Sequence, residues 1–454
     1  MSYSDRWRPA DLAEPDGAFE VLVRPKPDHG LRLTRRGLLT GIAALAGLRA
    51  VPALAESAGE SPIDVLMRAQ TVREWQDKFD AGASTPVAQL KSDVPLLSPE
   101  TAANIEAALP QYQAIAGNGG WPRVPDQQRL RIGTRSEAVM VLRQRLAVTG
   151  DLAPSQFGYG DTFDSYVDAA VRRFQVRHGL KPNGLVDKPV FDVMNVPADI
   201  RLRQLETNLV RVRSMSGNLG DRFIFVNIPA AELEAVEGGR VIARHNAVVG
   251  KVDRQTPVLT SKVSEINFNP FWHVPVSIIR KDLIPKMRAD PEYLTKNRIR
   301  IYDNKGREIP PEAINWDTDQ AANLAFRQDP GDINAMATVK ISFPNSHDVY
   351  MHDTPFKDLF GDNNRFYSSG CMRIQNVREL VAWILRDTPN WGPQQIDDAI
   401  RTGQRIDAKV KGAVQVYTNY VTAWATREGV VHFRDDIYAR DGIGELAYVP
   451  GIMQ

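Results

Sequence analysis

The chain has 454 residues, of which 43% are hydrophobic, 24% charged and 8% aromatic, and its formal net charge is +1. That length exceeds what one hydrophobic core usually serves, so two or three soluble domains are expected, and a near-neutral chain lacks the broad positive field that nucleic-acid binding needs. A single cysteine, Cys371, excludes an internal disulfide framework and a thiolate zinc site.

Residues 1–55 read as a cleaved export signal. A polar leader ends in Arg35-Arg36, an apolar run extends from Leu38 to Leu48, and Ala53-Leu54-Ala55 has the small-residue form of a cleavage site. The run is too short for a membrane span. The paired arginines resemble a twin-arginine signal, which is an address and not an anchor. Without these residues the chain keeps 48 basic against 49 acidic side chains.

Residues 56–128 read as a helical scaffold, interrupted near Pro95 and at Gly117-Asn118-Gly119-Gly120. In 129–196, Val139, Leu142 and Leu146 recur at helical spacing, as do Val167, Val171 and Phe174. The second set stops at His178-Gly179, where glycine suits a left-handed cap, and His178 reads as a helix-end residue and not a ligand. Pro182-Asn183-Gly184 and a third apolar turn, Val190-Phe191-Val193, complete a three-helix module. Residues 197–220 read as scaffold or linker.

From 221 the text turns β-rich. Strands are expected at Phe223–Ile228 and Val241–Ala243, with a hairpin signal at Glu237-Gly238-Gly239, and again at Val258–Thr260, Glu265–Phe268, Val339–Phe343 and Val349–His352. Short strands of this kind favour a sandwich or barrel-like core. Residues 277–336 interrupt the pattern with charged helix and loop text, Ile278 to Tyr293 and Asn323 to Asp329, and read as an insertion capping the site. A helix follows from Asn376, with Val377, Leu380, Val381 and Ile384 on one face. In the tail, 413–454, Val414–Tyr417, Tyr420–Ala425 and Val430–Phe433 are strand candidates that would complete the sheet.

A lone cysteine is most often a small buried hydrophobe. Its neighbours here argue otherwise. Cys371 lies in Phe366-Tyr367-Ser368-Ser369-Gly370-Cys371-Met372-Arg373-Ile374. Gly370 lets backbone approach closely, consecutive amides at Ser369 to Cys371 suit an oxyanion, and Arg373 adds a cation able to hold a carboxylate. His352 ends a strand-like run and opens His352-Asp353-Thr354-Pro355, a placement that fixes a side chain at a sheet rim. A thiol needs such a base to act as a nucleophile.

Together these residues resemble the catalytic signature of the L,D-transpeptidases of the YkuD type: a histidine, a spacer of under twenty residues, then Ser-x-Gly-Cys, with Cys371 here nineteen positions after His352. HDTP…FYSSGCMRI looks closest to the larger Gram-negative members, in which a helical scaffold, a peptidoglycan-binding module and a capped catalytic domain share one chain. FNPFWHVP (Phe268 to Pro275) and the tail from Tyr420 to Tyr438 add to the likeness, and FQVRHGLKPNGLVD (Phe174 to Asp187) resembles the three-helix peptidoglycan-binding module. One departure is Ser369, where many members carry a second histidine, so no second imidazole stands there to orient the first.

The resemblance implies a multidomain α+β chain: a peptidoglycan-binding domain at 129–196, a mostly-β catalytic domain at 221–412 with its cap at about 277–336, and a C-terminal extension completing it. It further implies a periplasmic location and a reaction without metal or cofactor. In that reaction Cys371, served by His352, takes an acyl group from a peptidoglycan stem tetrapeptide, releases D-alanine and passes the acyl group to an amine. Gly370 and Ser369 would support the oxyanion, Arg373, Tyr350 and Trp272 would line the substrate, and carbapenem-type β-lactams would acylate the thiol. Hydrolysis of the same stems, as a carboxypeptidase or endopeptidase, and an inert wall-binding protein are the competing readings.

Overall fold

The computed structural model describes residues 92–155 and 158–442. The export signal and the first part of the expected scaffold, together with residues 443–454, lie outside the described residues. All described residues fall in one compact unit.

Helix α1 (Pro99–Gly117) begins where the Ser98 hydroxyl accepts the Thr101 amide, with proline in the first turn where no amide partner is needed. Three helices follow, α2 (Glu137–Val148), α3 (Ser165–Arg177) and α4 (Lys188–Met194). The apolar residues expected on their inner faces form one cluster: Val139, Leu142, Leu146, Val167, Val171 and Phe174 are fully buried, joined by Val190, Phe191 and Val193. His178 caps α3, its ring bonded to the Phe174 carbonyl at 2.8 Å, and Gly179 takes φ +73°. The stretch read as linker is mostly a long helix, α5 (Ala198–Met215).

The remaining chain is dominated by an 11-stranded sheet. Its early strands are β1 (Arg222–Asn227), β2 (Glu232–Glu237), β3 (Arg240–Gly250), β4 (Leu259–Lys262) and β5 (Glu265–Phe268). The Gly238-Gly239 turn joins β2 to β3, and β2 is a strand that the sequence pattern did not show. Between β5 and the next strand of this sheet lies a separate four-stranded sheet of β6 (Trp272–His273), β7 (Ile299–Tyr302), β8 (Glu308–Ile309) and β9 (Ala325–Gln328), in the order β6-β9-β7-β8. The segment 276–289 is helical, as expected, with a π-helical turn at Ile279–Leu283. The expectation of helix and loop at Asn323 to Asp329 is corrected: Ala325–Gln328 is a strand, too short and too charged at Arg327 for alternation to show.

The large sheet resumes with β10 (Val339–Ser342), β11 (Met351–His352), β12 (Phe366–Ser368) and β13 (Met372–Ile374). Helices α6 (Val377–Leu385) and α7 (Pro393–Arg401) follow, then β14 (Ile406–Lys409) and β15 (Gln415–Asn419). The strand order is β14-β5-β10-β11-β13-β3-β2-β1-β15-β4, with β12 beside β3. Val377, Leu380, Val381 and Ile384 of α6 are buried in the same cluster as Ile341, Met351 and Met372, so one face of this sheet is closed by helix. Burying that much apolar side chain is what holds these very short central strands in place. In the tail, β15 joins the sheet parallel to β1, whereas β16 (Ala423–Ala425) and β17 (Val431–Phe433) pair only with each other. That hairpin packs on α1 and α5, where the Asn208 side chain donates to the Thr422 hydroxyl and accepts from the Thr422 amide.

Candidate active site

Strands β11 and β13 run parallel side by side, with Met351 opposite Met372 and His352 opposite Arg373. Side chains alternate across a strand. Because both methionines are fully buried in the core, His352 and Arg373 emerge from the other face, together with their second neighbours Tyr350 and Cys371. The sheet thus brings His352 and Cys371 to one face of adjacent strands, on the diagonal of one pairing step, a backbone separation of roughly 7–8 Å.

The His352 ring places Nδ1 2.5 Å from the Asp353 carbonyl oxygen. A carbonyl only accepts, so Nδ1 carries the proton and Nε2 is the acceptor. The Asp353 carboxylate is held by the Thr338 hydroxyl at 2.7 Å, the Thr354 amide at 2.8 Å and the Lys357 ammonium, which fixes the turn that aims the ring. Burial first, and then the neighbouring Arg373 guanidinium, lower the His352 pKa to about 3. The ring is neutral at physiological pH.

Cys371 is partly exposed. Burial of its sulfur raises the thiol pKa to about 11, opposed by the amide and the hydroxyl of Tyr350, both of which reach the sulfur. Tyr350 also bonds the indole of Trp272, and its ring stands 5.5 Å from that of His352. The turn before the cysteine is over-determined. Gly370 has φ +110°, a conformation that side chains disfavour, and a Cβ there would meet the Gln255 carbonyl oxygen at 3.4 Å. Its carbonyl accepts from the Thr256 hydroxyl at 2.9 Å, and its amide donates to Ser368 Oγ at 3.2 Å. The loop carrying Thr256 folds tightly against Gly250, where a Cβ would come within 2.2 Å of the Arg254 carbonyl oxygen.

The other expected residues divide. Tyr350 stands against the sulfur and so belongs to the centre. Arg373 is buried on the same face, its guanidinium 6.0 Å from the Phe356 ring, with no ion pair among the described residues. Ser369 is turned to the insertion: Arg254 donates to its hydroxyl at 3.0 Å while holding Asp282 at 2.5 Å. The Gly370 amide is engaged by Ser368, which leaves the amides of Ser369 and Cys371 as the oxyanion candidates. Trp272 is buried in the core of the insertion with Leu283, Met287 and Phe326, and bonds Tyr350 of the centre.

One residue of this face was missed. Lys340 is register-paired with His352 on the side opposite Arg373, and its ammonium lies 4.4 Å from the centre of the Tyr350 ring. The alternation Val339-Lys340-Ile341 put it opposite two core residues, a signal that could have found it.

Residues 221–394 match the YkuD family, described as the L,D-transpeptidase catalytic domain, and residues 135–194 match a family described as "Putative peptidoglycan binding domain". A protein of Haemophilus influenzae named "Putative L,D-transpeptidase" is 36% identical over 227 residues, which is 50% of this chain and 46% of that relative. The chain therefore spans about half the length of the curated relative it matches. Among solved structures, an L,D-transpeptidase from Mycobacterium smegmatis is similar at 12% identity and TM-score 0.21 over 44% of this chain and 58% of that one. One from Stackebrandtia nassauensis is similar at 13% identity and TM-score 0.25 over 65% and 96%.

Proposed function

We propose, from the premise that residues 221–394 form a YkuD-type L,D-transpeptidase catalytic domain and residues 135–194 a peptidoglycan-binding domain, that this chain crosslinks peptidoglycan stems through a thioester on Cys371. The observation that carries the reading is the single sheet face shared by Cys371, Tyr350, His352 and Arg373.

In the resting site both partners are neutral, a thiol and an imidazole. His352 Nε2 takes the Cys371 proton as the sulfur attacks the carbonyl between the third residue of a donor tetrapeptide and its terminal D-alanine. The amides of Ser369 and Cys371 receive the oxyanion, and the Tyr350 hydroxyl steadies the sulfur. The carbon–nitrogen bond then breaks, and the imidazolium returns its proton to the departing D-alanine amine. A side-chain amine of an acceptor stem attacks the thioester, its proton passes to His352, and the released thiolate is reprotonated. A β-lactam such as a carbapenem offers a strained acyl donor to the same sulfur. The 129–196 module keeps the site near its polymer, and the twin-arginine-like leader addresses the chain to the periplasm. The catalytic domain is read as 221–412 with 277–336 as a cap.

Incubation with tetrapeptide muropeptides tests this. Crosslinked dimers plus free D-alanine are expected. Trimmed monomers alone would replace transfer by hydrolysis, and the absence of any product would leave a wall-binding protein.

A further inference from the structure

A polar row crosses five strands of the large sheet and ends beside a valine on a sixth. Asp407 of β14 faces Asn267 of β5, which faces Lys340 of β10, then His352 of β11, Arg373 of β13 and Val248 of β3. The imidazole therefore stands between two cations, on its left and right neighbours in the sheet. Neither cation makes an ion pair among the described residues.

Lys340 differs from Arg373 in being partly exposed, with its ammonium resting on the face of Tyr350. The carboxylates facing it from adjacent strands are already committed. Asn267 donates to both Glu265 and Asp407 at 2.8 Å, and Arg405 pairs with Asp407 at 2.6 Å. The other titratable groups near it are the Cys371 thiol, which is negative only as thiolate, and Arg405 and His273 of β6, which bring no negative charge. A half-buried ammonium with no ion pair among the described residues, beside the proposed base, is suited to hold an anion.

The reaction proposed above supplies one. The group that receives the His352 proton is the amine of the leaving residue, and in a tetrapeptide donor that residue ends in a carboxylate one carbon away from this amine. A substrate amine within reach of the ring therefore has its carboxylate within reach of a register neighbour of that ring. We infer that Lys340 binds the terminal carboxylate of the departing residue and so makes the protein select donor stems that end one residue beyond the scissile bond. In a longer stem the same position is an uncharged amide, which leaves the ammonium unpaired. This inference rests on the acyl-transfer reading and deepens it.

The test compares two donors, a stem tetrapeptide with a free C-terminal carboxylate and the same peptide as its C-terminal carboxamide. Acylation of Cys371 is followed by intact-protein mass in the full chain, in Lys340→Met and in Lys340→Arg. The unaltered chain should prefer the carboxylate donor by about tenfold to hundredfold, the range for a hydrogen bond to a charged group. Lys340→Met should erase that preference by slowing the carboxylate donor more than the carboxamide, and Lys340→Arg should restore part of it. The ratio within each variant is independent of how much of it folds. Losing the Lys340 charge also raises the Cys371 pKa, so iodoacetamide alkylation of Cys371 in each variant is the reference by which both donor rates are divided. A preference that survives in Lys340→Met, or equal reactivity of both donors in the unaltered chain, overturns the inference while leaving the thioester intact. Failure of either donor to label Cys371 overturns the acyl-transfer reading, and the inference with it.

Discussion

His352 is register-paired with Arg373 across the parallel strands β11 and β13. Burial first, and then this neighbouring cation, disfavour a positive charge on the imidazole and keep His352 unprotonated. The site is consequently poised as a neutral pair and not as a thiolate–imidazolium pair.

The pH dependence of thiol reactivity follows. With the thiol near 11 and the imidazole near 3, neither group titrates between pH 6 and pH 9. Alkylation of Cys371 by iodoacetamide should rise about tenfold per pH unit across that range, following the thiolate fraction. A plateau beginning near pH 6 would instead show a preformed ion pair.

Tyr350→Phe removes a hydroxyl that favours the thiolate and leaves the Trp272 indole without that acceptor. Acylation of Cys371 should slow by about tenfold, as expected for one lost bond to a developing charge. The loss of unfolding free energy should stay near 1 kcal/mol. Stopped-flow acylation and urea unfolding separate the two effects.

Gly370→Ala places a side chain at φ +110° against a backbone carbonyl. Such strain costs about 1–3 kcal/mol, and here it falls on the turn that sets the sulfur. A lowered melting temperature with an even larger loss of Cys371 acylation is expected. Unchanged reactivity would mean that the turn geometry does not position the thiol.

Arg177 ties the three-helix module to the tail hairpin. It pairs with Asp151 at 2.5 Å, both side chains buried, and donates to the Val431 carbonyl at 3.2 Å. Arg177→Met leaves a buried carboxylate alone and should destabilise by about 3–5 kcal/mol. The double variant Asp151→Asn/Arg177→Met should recover part of that in urea unfolding.

Much of this was legible in the residues. The helical faces of α2, α3 and α6 follow from apolar spacing, and Cys371 and His352 stand out by motif. Glu265–Phe268 was placed as a strand residue for residue. Other features have no local signature. The pairing of β11 with β13 joins strands of two and three residues, and only tertiary contact sets its register. Strand β2 carries Glu232, Glu234 and Glu237, charges that mask its pattern; Glu234 is buried because Arg244 and the Leu96 amide satisfy it. Ser369 was read as oxyanion support through its backbone amide; the partner of its hydroxyl, Arg254, lies 115 positions away, and local sequence does not reveal it.

The most direct measurement is the intact mass of the full chain mixed with a tetrapeptide donor in the absence of acceptor, followed by peptide mapping. The account predicts an added mass equal to the donor minus D-alanine, carried on Cys371, absent from Cys371→Ala and strongly slowed in His352→Gln. An adduct that persists in Cys371→Ala, or one that forms at full rate without the imidazole, would contradict it.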